Sequence, residues 1–292
     1  MNLDPRVGPV LLDGAMGTAL QAAGLPPGQL PERWLIERPE AIREVHAAHA
    51  AAGASVLLTC TFNAASSRLA SIVSRRSVAD LCAAAVALAR EAAPQARVAG
   101  ALGPLALARP GGQAPEAASL RAPFERPLSA LAEAGADLLW LESQYDWREA
   151  SAALAAAVTV GLPVAVTFTL RERNGRLVAP DGTPGPVLLA RAARFAGKGP
   201  RDGRVVAVGV NCLAAGPALT ALAGWARATL PVPFIAKPSP GVPGAVLPPS
   251  AFAEALGPAV AAGARLVGGC CGTTADHLAA IAARLQAMVA RG

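Results

Sequence analysis

Eight short aliphatic runs, alanine-rich stretches of helical spacing between most of them, and a recurrent helix-glycine-strand junction predict an α/β fold, a single (β/α)8 TIM-type barrel over residues 1–292. The runs fall at 9–12, 55–58, 97–101, 138–141, 164–168, 205–210, 234–236 and 265–267. Each is short and apolar, as expected of a strand buried on both faces. Helical spacing at 78–93, 128–134, 150–158, 218–228 and 277–289 supplies the crossovers that parallel strands require. The junctions AAGASVLL, EAGADLLWL and AAGARLV place Gly53, Gly135 and Gly263 where a helix must turn into the next strand, a task for a glycine C-cap. No GxGxxG follows the first run, which disfavours an open, doubly wound sheet.

Pro- and Gly-rich segments at 25–31, 104–115, 174–186 and 238–249 follow the first, third, fifth and seventh runs and read as long loops at the end of the barrel where chemistry collects. No interdomain linker stands out. The 53% hydrophobic composition gives ample core, and the apolar stretch 152–168 is broken by Gly161 and Pro163, so no segment reads as a membrane span. The chain opens without a secretory pattern, so a cytoplasmic location with reduced thiols is expected. The net charge of +6 comes almost wholly from scattered arginines, with Lys198 and Lys237 the two lysines, and Arg75–Arg76 the densest pair. Without clustering or an aromatic ladder, nucleic acid is not an expected partner.

Function is carried by the strand ends. At the ends of seven of the eight runs stand Asp13, then Thr59 and Cys60, Glu142, Thr167 and Thr169, Asn211 and Cys212, Lys237, and finally Cys270 and Cys271. Any one of these alone fits a turn or a cap, as Asp13 before Gly14 does, and Glu142 alone fits an ion pair with a barrel arginine. Together they describe a ring around one cavity. The cysteines of GVNC and GGCC taken alone fit either a small buried hydrophobe or a metal site. As a metal site, three thiolates suit Zn2+ and leave its fourth tetrahedral position open, the arrangement of a catalytic centre. Cys82, inside an alanine-rich helix, reads as core. His46 and His49 share a helix face and read as surface packing, and His277 as the solvated start of the last helix.

DGAMGTAL (13–20), PEAIREVHAAHAAAGASVLLTCTF (39–62), VAGALGP (98–104), ADLLWLESQYDWREA (136–150), VGVNC (208–212) and GGCCGTT (268–274) together resemble the homocysteine S-methyltransferase family, in order and over essentially the whole chain. The resemblance implies a zinc-containing barrel that methylates the sulfur of homocysteine to give methionine. It implies Cys212, Cys270 and Cys271 as zinc ligands, Asp13 and Glu142 as receivers of the substrate ammonium, the Gly14 and Ala15 amides as receivers of its carboxylate, and Asn211 as support. A free thiol has a pKa of about 8.5, and coordination to zinc deprotonates it.

Two positions depart from the family pattern: Cys60, where asparagine is frequent and which reads as a harmless substitution, and Ser239, which stands for asparagine in AKPSPGVP. The methyl donor is the open question. DGTP at 181–184 resembles sulfonium-using members, whereas LESQYDWREA and IAKPSPGVP resemble the barrel of cobalamin-dependent methionine synthases. The donor is therefore expected to be an S-methylmethionine-type sulfonium, or methylcobalamin or methyltetrahydrofolate presented by a separate cobalamin- or folate-binding protein. Phe62, Tyr145, Lys237 and Ser239 are the candidate donor-side residues, with Trp34 and Trp147 further aromatics near strand ends. The alternatives are a non-catalytic zinc- and homocysteine-binding barrel acting as sensor or partner subunit, and a methyltransferase for a related thiol or selenol.

Overall fold

The computed structural model describes residues 8–72, 77–105, 117–197, 204–242 and 245–290. Arg75, Arg76, Lys198 and most of the 104–115 loop lie outside these described residues. Eight parallel strands form the barrel: Val10–Leu11, Val56–Leu58, Arg97–Leu102, Leu138–Gln144, Val164–Thr169, Val205–Ala214, Phe234–Ser239 and Ala264–Val267. They are called here the first to the eighth strand. Each pairs with its sequence neighbour except the first, which pairs with the eighth. A parallel bridge between Leu12 and Val56 closes the ring, with Ser55 N–H donating to Leu11 O at 2.8 Å and Asp13 N–H to Val56 O at 3.1 Å.

The expected runs and the observed strands agree at their N-terminal ends and differ at the other. The fourth, sixth and seventh strands run on to Gln144, Ala214 and Ser239, past the aliphatic residues, because the polar residues that follow still pair. They do so across register shifts, between Leu141 and Gln144 and between Asn211 and Ala214. Ser143 (φ 58°) and Cys212 (φ 56°) lie inside these irregularities with left-handed backbones. Bulges of this kind re-aim side chains beside active sites. Cys212 is thus within its strand, not beyond the end of it.

Side chains of Val10, Leu12, Val56, Leu58, Ala99, Ala101, Trp140, Ala165, Ala207 and Ile235 fill the barrel interior. Four alanines leave room for the Trp140 ring, whose indole N–H donates to Thr167 Oγ1 at 3.3 Å. A second, larger apolar layer joins the outer face of the strands to the helices. Gly209 allows the sixth and seventh strands to meet, since a Cβ there would overlap the Ile235 carbonyl oxygen. The loop segments hold more structure than their composition suggests, with hairpins Arg171–Arg173/Arg176–Val178 and Gly241–Val242/Ala245–Val246. No described helix is long and apolar enough to cross a membrane.

Candidate metal and substrate site

A cavity of about 420 Å³ opens at the C-terminal end of the strands. Its wall contains Asp13, Gly14, Ala15, Glu142, Cys212, Cys270 and Cys271, and it extends past Cys60 and Phe62 to Glu32, Asn63 and Arg68. The first group is the set expected to hold metal and substrate, save for Asn211, which is not part of the wall.

Asp13 leaves the first strand at the barrel seam and is buried, at 3% exposure. Its Oδ2 accepts from Leu58 N–H at 2.7 Å, and its Oδ1 from Lys237 Nζ at 2.7 Å. Lys237, 1% exposed, comes from the seventh strand and lies 5.7 Å from the Trp140 ring centroid. Two buried groups of opposite charge in an ion pair leave either one without compensation if the other is removed, so the pair is mutually required. This corrects the donor-side expectation for Lys237: it lies beneath the site and does not line the cavity. Glu142 differs from Asp13. Half-buried at the fourth-strand bulge, it has its carboxyl pushed up by burial and by Asp13, against the opposing pull of Lys237.

The three cysteines converge from two directions. Cys212 arrives on the sixth strand, and Cys270 and Cys271 on the turn after the eighth. That turn is held by Cys270 N–H donating to Pro238 O at 2.8 Å and Gly272 N–H to Thr18 Oγ1 at 3.1 Å. Gly269 is required within it, because a Cβ would overlap the Thr273 side chain. All three sulfurs lie within 4.8 Å of one another, the one such cluster of metal-ligating groups among the described residues. Cys212 and Cys271 Sγ are 3.9 Å apart, close to the ~3.8 Å edge of a tetrahedron with metal–sulfur bonds of about 2.3 Å. The Cys212 and Cys270 sulfurs are also in contact, and as thiolates the three cysteines supply three ligand atoms. Soft, anionic donors in this number and spacing fit a bound metal ion.

Asn211 is fully buried behind the sulfurs. Its Nδ2 donates to Ser143 Oγ at 2.6 Å and lies 3.6 Å and 3.7 Å from the Cys212 and Cys270 sulfurs. Thr169 Oγ1 donates to Asn211 Oδ1 at 3.5 Å. Thr59 and Thr167 are structural, spent on Thr61 and Ala101 and on Trp140 respectively.

Of the other donor-side candidates, Phe62 alone lines the cavity, its ring lying against Gly103, where a Cβ would overlap it. Tyr145 and Ser239 are half-buried outside the cavity wall, Ser239 because it stays in the ladder opposite Ala214. Trp34 and Trp147 are also outside it, each under an arginine, Arg38 at 4.4 Å and Arg191 at 5.6 Å. Cys60 does line the cavity, but burial and Glu32 push its thiol well up, and burial takes Cys82 up to about 12.

The structure also corrects the histidines and adds an acid. His46 and His49 are buried against Asp13 rather than on the surface, and burial lowers both, His46 to about 4. His277 is buried too, bonded to Thr274 Oγ1 at 2.8 Å and Leu247 O at 2.9 Å. Glu32, absent from the sequence reading, is 1% exposed, pushed up by burial, and accepts from Asn63 N–H at 2.7 Å and Nδ2 at 3.1 Å. Only a carboxylate in a Pro-rich loop marked it in the sequence.

The sequence model of the family described as homocysteine S-methyltransferase matches residues 10–285. The chain belongs to that family. It is 33% identical to the homocysteine S-methyltransferase of Escherichia coli (strain K12), over 94% of each chain. It is also 31% identical to the methionine synthase of Mycobacterium tuberculosis (strain ATCC 25618 / H37Rv) over 93% of this chain, but spans only 24% of that protein. Its fold matches the metallated crystal form of the E. coli homocysteine methyltransferase MmuM with a TM-score of 0.77, at 33% identity and 95% and 96% coverage. The fold, the family and its methyltransferase class therefore stand as the sequence implied.

Proposed function

We propose that this protein is a zinc-dependent homocysteine S-methyltransferase forming methionine, with the barrel as its homocysteine-binding unit. The convergence of the Cys212, Cys270 and Cys271 sulfurs in one cavity with Asp13 and Glu142 carries the reading. Zinc held by the three thiolates would supply Lewis acidity that ionises the substrate thiol. The protein's own residues do the rest. Glu142 meets the ammonium group in a partly desolvated setting where an opposite charge lowers its raised pKa. Asp13, neutralised by Lys237, contributes hydrogen-bond acceptance more than net charge. The Gly14 and Ala15 amides at the cavity wall take the carboxylate. Methyl transfer then forms an S–CH3 bond on homocysteine as the donor's bond to that carbon breaks, with the thiol proton released.

The donor is read as a small, free molecule of the sulfonium type, on the DGTP run at 181–184 and on a cavity of about 420 Å³, which has room for amino-acid-sized partners. The thiolate cluster suits a reducing compartment such as the cytoplasm. The test measures zinc content and methionine formation with homocysteine plus S-methylmethionine, betaine, methylcobalamin or methyltetrahydrofolate. One zinc per chain and turnover with the sulfonium are expected. Ala at Cys212, Cys270 or Cys271 removes both, and Cys60→Ala and Cys82→Ala keep both. A zinc-loaded protein that makes no methionine with any donor refutes the activity and favours the binding-protein alternative.

A further inference from the structure

We infer that Ser143 is a positioning residue which, through Asn211, directs a hydrogen-bond donor onto the thiolate cluster and so joins the ammonium-binding side of the cavity to its metal side. The inference rests on the metal reading proposed above. Ser143 follows Glu142 in the fourth-strand bulge, and Cys212 follows Asn211 in the sixth-strand bulge. Two of the three non-glycine residues with positive φ among the described residues are these two. The third, Asn174, sits in a hairpin turn, where such a backbone is ordinary. Holding two non-glycine residues in the left-handed region costs energy, and such costs persist where surrounding contacts fix them.

The fixing contact is the 2.6 Å bond from Asn211 Nδ2 to Ser143 Oγ, made across the intervening fifth strand. A buried amide has two N–H groups and must be told which way to face. Thr169 can donate to Oδ1, and Ser143 Oγ accepts one N–H, so the remaining N–H is left pointing at the Cys212 and Cys270 sulfurs. With anionic sulfurs this is the favourable sense, since an oxygen in that place would repel them. Among the described residues Ser143 hydrogen-bonds to Asn211 and Asn211 in turn faces the two sulfurs, so the effect of Ser143 on the metal passes through Asn211. Partners of this kind beyond the ligands are typically worth 10–100-fold in metal affinity.

Two single variants separate the hydroxyl from the backbone. Ser143→Ala removes the hydroxyl and keeps the left-handed strain, whereas Ser143→Gly removes the hydroxyl and relieves it. Zinc affinity is measured by competition with a chromophoric chelator, and the thiolate-to-metal charge-transfer bands are recorded after Co2+ substitution. Both variants are expected to weaken zinc by roughly tenfold and shift those bands, and Ser143→Gly/Asn211→Ala should be no weaker than Asn211→Ala alone. Wild-type affinity and bands in Ser143→Gly, or losses that multiply in the double variant, would overturn the inference while leaving the metal site intact. A wild type that binds no zinc would instead bring down the underlying reading, and this inference with it.

Discussion

His46 provides a measurable link between burial and acid sensitivity. Its side chain is fully buried with neither ring nitrogen hydrogen-bonded, and burial lowers it from an ordinary 6.5 to about 4. Asp13 pulls it upward and His49 pushes it down, and Lys237 in turn acts on His49. Between those two values the unfolded chain binds a proton that the folded chain refuses, so stability present above pH 6.5 is lost as the pH falls toward 4. Going from pH 7.5 to 5.0, the loss from His46 alone is about 2 kcal/mol. His49 adds to it in the same direction. The raised carboxyls of Glu32, Glu142 and Glu149 act oppositely, since their protonated forms are favoured in the fold. Comparing the wild type with His46→Leu removes these shared contributions. Urea unfolding at both pH values should show the wild type losing about 2 kcal/mol more than the variant, and the variant matching or exceeding wild-type stability at pH 7.5 because an unpaired polar group has gone. Parallel pH profiles for the two proteins would refute the argument.

Two more outcomes follow from the same cavity. Lys237→Met strands Asp13 as a buried, unpaired charge and should cost roughly 3–5 kcal/mol in denaturant unfolding, whereas Asp13→Asn/Lys237→Met should regain much of the loss; a double variant no more stable than Lys237→Met would count against the pairing account. Glu142→Gln keeps shape but removes charge, and should raise the KM for homocysteine about tenfold or more with a smaller change in kcat, read from initial rates. An unchanged KM would reassign the ammonium contact.

The barrel was legible because its strands are uninterrupted aliphatic runs and because each junction glycine marks a helix end: Gly53, Gly135 and Gly263 all have positive φ. What periodicity cannot show is a strand that continues through polar residues across a bulge, so the aliphatic runs stop short of Gln144, Asn211 and Ser239, which stay in the ladder. The cysteine cluster was visible in GVNC and GGCC, but Lys237 was misplaced because a polar residue after an apolar run gives no clue that it points inward to Asp13. His46 and His49 lie on the buried stripe of their helix, Pro39–Ala51, at helical spacing from Ile42, so the polarity of the imidazoles and not the periodicity misled the reading. Glu32 sits in a short 3-10 turn, Pro31–Arg33, where no repeating pattern exists to signal burial.

The two-residue first strand and the single Leu12–Val56 bridge make the seam the thinnest part of the barrel wall, and Asp13 is the next residue after it. Parting that seam would pull the carboxylate off Leu58 N–H, its partner across the seam, and open the pocket wall in the same motion. Ligand occupancy and wall integrity are thereby one equilibrium, and amide hydrogens at Leu12, Asp13 and Ser55 would act as its gauge, exchanging more slowly with deuterium as the pocket fills.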